Sequence, residues 1–335
     1  MGFVAGLQAA LAVLIAIVIV HHSAWPHLVG FAALGGLAAL FGRFAPLLKR
    51  HAVVWSCAAM LTGATLLTSV VSWLGASDYA LVLTVAFIAG VTTIIFNYWR
   101  LGGPGAVIIV FAAGAAMSPV DSWNVVAERT LATAVGGAVA WLVTSATDVL
   151  RLRELARIKI PAEARRPTGH IVYAGVRIAI GAAAAALIAY AAGWNHPSWA
   201  AIGATAVMQG SHLHITMNRA LQRMAGTLVG SLLVWMILSM EPPFWTVVML
   251  IVLFQFITEV IIGYNYALGQ ITITPMALLM TYLASPAAVA TELSIERVFD
   301  TMLGAVIGIV FAVGFSTMDD RRYLASHHRQ LRSRR

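Results

Sequence analysis

Three copies of one spacing stand out for their chemistry: Arg129, Thr133 and Gly136; Arg223, Thr227 and Gly230; Arg297, Thr301 and Gly304. In each, a hydroxyl follows the arginine by four residues and a glycine follows by seven, so on a helix all three share one stripe. A guanidinium presents a planar fork of donors that matches a carboxylate, and a threonine one turn on adds a further donor. The implied chemistry is recognition of an organic anion, carboxylates above all. Asp300 lies three residues after Arg297, so an ion pair within one helix is within reach and would partly neutralise that arginine. The competing reading of the same residues is structural. Arginines snorkel to headgroups, and glycines in pairs such as Gly226-x3-Gly230 and Gly304-x3-Gly308 let helices approach closely.

Other polar residues in apolar surroundings extend the list. Asn97-Tyr98 recurs as Asn265-Tyr266 at an offset of 168, which makes Asn97, Asn265 and Tyr266 candidates for contact with the same anion. Glu259, Asp300 and Arg177 are candidates for coupling or gating, although Glu259 also suits an inner interface. Gln255, Thr258, Tyr264 and Gln270 add hydrogen-bonding groups that a hydrated site or a proton relay would use. His212 and His214 are two residues apart, a spacing that points the rings away from each other on a helix, so no metal site is expected. His21, His22, His27 and His196 fall near the expected outer face, where packing at the interface is their default role. No phosphate loop, nucleophile elbow or zinc-protease helix is present, so neither an enzyme nor a cofactor is expected.

The elements that must hold these residues are membrane helices. The 335 residues are 60% hydrophobic and 10% charged, with a mean hydropathy of +0.87, whereas a soluble domain carries about a quarter charged residues. A spanning helix takes ~20 mostly apolar residues. The apolar runs place helices near 2–20, 25–41, 50–73, 79–97, 104–118 and 125–147. A second set follows near 171–192, 197–213, 219–239, 243–262, 267–283 and 294–317. The single Cys57 excludes an intramolecular disulfide. The expected fold is an all-α polytopic membrane protein of two parallel six-helix repeats, about twelve transmembrane helices. Its parts are a first half over 1–147, a basic linker over 148–170, a second half over 171–317 and a basic tail over 318–335.

Charge sets the expected orientation. The segments 151–166 and 319–335 each hold six basic and two acidic residues, and together they account for the whole net charge of +8. Lysine and arginine beside spans stay on the cytoplasmic side, so linker and tail are expected inside, with an even number of spans between them. Basic tails that bind nucleic acid are the weaker reading. Arg43, Lys49, Arg50, Arg100 and Arg219 then fall inside, while Asp78, Asp121, Glu241 and Glu292 fall outside. Trp25, Trp73, Trp123, Trp194 and Trp245 would mark the outer interface. The expected location is a bacterial inner (plasma) membrane with both termini cytoplasmic. Parallel halves imply a twofold axis along the membrane normal and place any shared path between them.

From Arg177 to Trp235 the chain reads RIAIGAAAAALIAYAAGWNHPSWAAIGATAVMQGSHLHITMNRALQRMAGTLVGSLLVW. An arginine in the first helix of a half, His-Pro-x-Trp at the start of the second and Gln-Arg-x-x-Gly-Thr-x-x-Gly in the third make this stretch resemble the fusaric acid resistance (FUSC) and aromatic acid exporter family. It is more distantly similar to the aluminium-activated malate channels of plants, which are dimers of a six-helix unit. The resemblance implies efflux of aromatic or other organic carboxylates along a path lined by arginines. The expected partners are a small organic anion and membrane lipid, with room for a periplasmic adaptor protein and none for nucleic acid. Two departures accompany it. The first-half counterpart KRHAVVWSCAAMLTG lacks the Gly-Thr string, and the linker is about twenty residues where many members insert a large cytoplasmic domain. A major-facilitator-like carrier, suggested by GRFAPLLKR, and a membrane assembly factor are the alternatives.

Overall fold

The computed structural model describes residues 2–150, 167–209, 213–284 and 290–315, and these are helices joined by short turns. In chain order the first half comprises α1 (Gly2–His21), α2 (Val29–Gly36, extended by short 3-10 turns to Pro26–Leu40), α3 (Leu47–Trp73), α4 (Asp78–Trp99), α5 (Ala106–Ala115) and α6 (Trp123–Ala146). The second comprises α7 (Thr168–Ala191), α8 (Pro197–Met208), α9 (Leu213–Leu238), α10 (Phe244–Ile261), α11 (Tyr266–Ala284) and α12 (Ala290–Gly314). The linker 151–166, His212 and the tail from 316 onward lie outside the described residues, as do the side chains of His214 and Glu292.

Local sequence fixes the ends. Pro26 and Pro197 occupy the first turns of the second helix in each half, where a missing N–H costs nothing. Gly75 and Gly193 follow α3 and α7 with φ of 73° and 79°, the left-handed conformation that closes a helix and that side chains with a Cβ resist.

Twelve helices are found among the described residues, as the all-α polytopic reading expects. Among the described residues nine are long and apolar enough to cross a membrane. Pro26–Leu40 and Ala106–Ala115 are shorter apolar helices, and α8 has 12 residues. Every residue of α2 and of α8 is buried, so neither faces lipid and neither is held to the thickness of the hydrocarbon.

The parallel repeat is written in the packing. Contacts α1–α2, α1–α6, α2–α6, α3–α6, α3–α5 and α4–α5 recur as α7–α8, α7–α12, α8–α12, α9–α12, α9–α11 and α10–α11. Contacts between the halves come in exchanged pairs, α1–α10 with α7–α4 and α2–α11 with α8–α5, as a twofold axis requires. The crossing of the second helix on the sixth repeats residue for residue. A Cβ on Gly136 would strike Ala32 O and Gly36 N, and one on Gly304 would strike Ala200 O and Ala204 N, each at the offset of 168. The glycines of the repeated stripe therefore serve close packing, as the structural reading holds.

Candidate functional site

The sixth helix of each half carries its arginine against an aromatic ring from the second. The Arg129 guanidinium lies 5.5 Å from the centroid of Phe31, and that of Arg297 lies 5.1 Å from Trp199, again at an offset of 168. Beyond that shared contact the two differ. Arg129 is half-buried and donates from Nη1 to Ser118 O at 2.9 Å and from Nη2 to Pro119 O at 3.2 Å, tying α6 to the turn after α5. Arg297 is 3% exposed, and its Nε and Nη1 have no hydrogen-bond partner.

Around Arg297 the second half gathers further polar groups. Arg223 on α9, also 3% exposed, is within electrostatic reach of Arg297. It donates from Nη1 to Gln270 Oε1 of α11 at 3.5 Å, a weak bond, and its Nε is unpartnered. Asp300 is fully buried with neither carboxylate oxygen hydrogen-bonded, so the ion pair with Arg297 that spacing permits is not made. Thr301 is buried with its hydroxyl unpartnered, and Thr227 accepts from Thr274 Oγ1 at 3.5 Å. Thr133, in the first half, instead donates back to Arg129 O at 2.9 Å. Buried polar groups are normally bonded, because a lone one forfeits its hydration. Two guanidiniums and a carboxylate left with free donors and acceptors mark a place built for something other than stability.

The remaining candidates lie elsewhere. Asn97 donates to Thr93 O at 2.8 Å inside the last turns of α4, whereas Asn265 stands beyond α10 and caps α11 through Ala267 N and Leu268 N. The helix ends differ between the halves there, so the matching words sit in different local structures. Tyr266 packs its ring 5.8 Å from the Arg219 guanidinium. None of these three bonds with Arg223 or Arg297. Glu259 pairs across the two halves: Arg43 donates from Nη1 to its backbone oxygen at 3.1 Å and approaches its Oε2 at 3.5 Å, joining the α2–α3 turn to α10. Arg177 donates to Met208 O at 3.2 Å, at the end of α8.

Sequence reasoning missed a network where α3 begins and α6 ends in the first half. Arg50 of α3, 1% exposed, bonds Asp148 Oδ1 from Nη1 and Gln8 Oε1 of α1 from Nη2, the latter at 2.6 Å. Gln8 Nε2 donates to Thr147 Oγ1 at 2.6 Å, and His51 Nδ1 lies 2.8 Å from Ser145 Oγ. Asp148 stands at the first position of the expected linker, where nothing in the sequence marks it as a partner inside the bundle. The role of Trp199 was missed too, though aligning the halves at 168 sets Phe31 over Trp199 and would have found it.

Residues 183–311 match the family described as fusaric acid resistance protein-like. A curated relative, the "Uncharacterized membrane protein YvaC" of Bacillus subtilis (strain 168), is 35% identical over 127 residues. That alignment covers 38% of this chain and 20% of the relative, so the chain meets about a fifth of the relative's length. No solved structure matches. The matched stretch runs from α7 to α12 and includes Arg223, Gln270, Arg297 and Asp300, so the part of the chain that gathers the unpartnered charges is the part that is similar to the fusaric acid resistance protein-like family.

Proposed function

We propose that the protein is a bacterial inner-membrane transporter that exports organic anions, aromatic carboxylic acids first among them, with Arg223 and Arg297 as the carboxylate site. The observation that carries this reading is the pair of guanidiniums, each 3% exposed, that keep unpartnered donors among the helices of the second half. Two like charges held apart from any bonded counterion favour an arriving anion, and a dry site strengthens the attraction. Arg297 supplies free Nε and Nη1 donors, Arg223 a free Nε, and Thr301 a free hydroxyl. The nearby Trp199 ring gives the site an aromatic wall. Arg129, bonded to two backbone oxygens, belongs to the scaffold or to an outer approach rather than to this site.

The family resemblance supports transport rather than catalysis, and the charge of linker and tail supports cytoplasmic termini. Lipid surrounds the bundle; a periplasmic adaptor is an additional partner in this reading. The test is efflux of a labelled aromatic acid, 4-hydroxybenzoate, from cells or vesicles. Arg297→Ala and Arg223→Ala are expected to lose about tenfold to hundredfold in apparent affinity, the equivalent of a charge-assisted hydrogen bond worth about 1.5–3 kcal/mol. Arg297→Lys should fall between, since the charge stays and the fork is lost. Unchanged efflux in both alanine variants at wild-type expression would sink the reading.

A further inference from the structure

We infer that Asp300 is a proton-binding site linked to the anion site, so that binding of a carboxylate substrate takes up one proton there. This rests on the reading of Arg223 and Arg297 as the carboxylate site. The inference comes from placement. Asp300 is one helical turn from Arg297, fully buried, and neither oxygen accepts a hydrogen bond. Its fixed neighbours are few. On its own helix stand Arg297 and Glu296, and Glu296 is already engaged with Asn195 Nδ2 at 2.5 Å and His196 Nδ1 at 2.6 Å. From α9 comes Arg223, within electrostatic reach of Arg297. The α8 helix, Pro197–Met208, carries no titratable residue, and α7 carries His170, Tyr173, Arg177 and Tyr190.

Within that set the charge of Asp300 is supported through space by Arg297 alone, with Arg223 beside that arginine and no hydrogen bond to hold the carboxylate. An incoming carboxylate engages those same guanidiniums and takes their stabilisation for itself. Two carboxylates cannot share one pair of buried cations without the cost of like charges side by side, and the relief is a proton on Asp300. The proton comes from solvent, no bond but O–H forms, and the charge of the loaded site stays what it was when empty. By reciprocity, protonating Asp300 strengthens anion binding by the same factor as the anion strengthens protonation. The first half has no such group, because Ala132 stands where the offset of 168 would put a second Asp300.

The experiment is titration calorimetry of purified, reconstituted protein with benzoate across a pH series and in buffers of different ionisation heat. At pH values where Asp300 is ionised in the free protein, wild type is expected to take up one proton per benzoate, with affinity falling about tenfold per pH unit; below them uptake should vanish and affinity level off. Asp300→Asn is expected to bind benzoate with no proton uptake and an affinity that does not fall over the same range. A difference infrared spectrum adds a direct readout: benzoate should raise a carboxylic C=O band in wild type that Asp300→Asn lacks. If Asp300→Asn keeps the pH slope and the proton uptake while Arg297→Ala abolishes binding, this inference is overturned and the anion site stands. If Arg297→Ala and Arg223→Ala bind benzoate as wild type does, or wild type does not bind it, the anion site falls and this inference with it.

Discussion

The two halves share a backbone plan and dispose of their buried charge in opposite ways. In the first, Arg50 is bonded to Asp148 and Gln8, and Arg129 to two carbonyls and the Phe31 face. In the second, Arg223, Arg297 and Asp300, about as buried as Arg50, keep free donors and acceptors. Same helices, same crossings, different satisfaction: the arginines of one half are bonded to their neighbours, and those of the other are left with free donors. A duplicated unit separates the tasks in this way, since one copy holds the shape while the other carries groups that are costly to bury.

That contrast predicts opposite signs for matched substitutions. Removing one partner of a bonded buried pair strands the other, so Asp148→Ala should destabilise the first half by about 3–5 kcal/mol. Replacing a charge that has no bonded partner strands no hydrogen bond, and Asp300, which Arg297 supports only through space, is relieved by taking a proton. Arg297→Met should leave stability unchanged or raise it by about 1–4 kcal/mol while abolishing anion binding. Thermal unfolding in detergent, followed by tryptophan fluorescence, reads both. Equal destabilisation by the two changes would erase the distinction between the halves.

Periodicity made the fold legible, because a membrane helix needs nothing beyond ~20 apolar residues and a turn, and α1, α4 and α10 are seen in those terms alone. The repeat was legible through Glu128-Arg129 and Glu296-Arg297, whose surroundings match at the shared offset of 168. The lengths of α2, α5 and α8 were not, because hydropathy cannot tell a helix bathed in lipid from one wrapped in protein. Nor was the fate of each arginine. Arg129 and Arg297 share their spacing to Thr and Gly, and only the three-dimensional neighbourhood says that carbonyls satisfy one and leave the other. Asn97 and Asn265 show the reverse case, identical words with different local roles, because α4 runs to Trp99 and α10 stops at Ile261.

A second set of substitutions tests what the halves have in common. Gly136→Ala and Gly304→Ala each push a Cβ into the backbone of the facing helix, α2 in one half and α8 in the other. Backbone cannot step aside as a side chain can, so both should cost about 1–3 kcal/mol, and by similar amounts. Gly63→Ala is the control, because a Cβ there meets nothing within 4 Å. A large gap between the Gly136 and Gly304 variants would mean that the shared crossing is not shared in energy.

Arg129 should matter less than either set. It is half-exposed, so solvent replaces part of what its two carbonyl bonds supply, and Arg129→Ala should cost about 1 kcal/mol of stability. Transport by that variant is expected within a few-fold of wild type. A loss as large as that of Arg297→Ala would move the substrate path to include the first half.

The smallest expected effect is at the outer turns, where a histidine before the second helix meets the glutamate beside the repeated arginine. His27 Nε2 lies 4.0 Å from Glu128 Oε2, with side-chain exposures of 65% and 29%. His196 Nδ1 lies 2.6 Å from Glu296 Oε2, with exposures of 31% and 16%, and its ring stacks on Trp199 at 4.2 Å and 11°. The first contact is a loose surface pair and contributes about 0–1 kcal/mol at most. The second has hydrogen-bond geometry, and its histidine also covers the ring that faces Arg297. His27→Gln should therefore leave stability within about 0.5 kcal/mol. His196→Gln should cost about 1 kcal/mol. Freed from its stacking partner, Trp199 should also report the change in near-ultraviolet circular dichroism. Benzoate titration of the same two variants completes the comparison: weaker binding in His196→Gln alone fits an outer turn that supports the site through Trp199. Equal binding in both would confine that turn to holding α8 against α12.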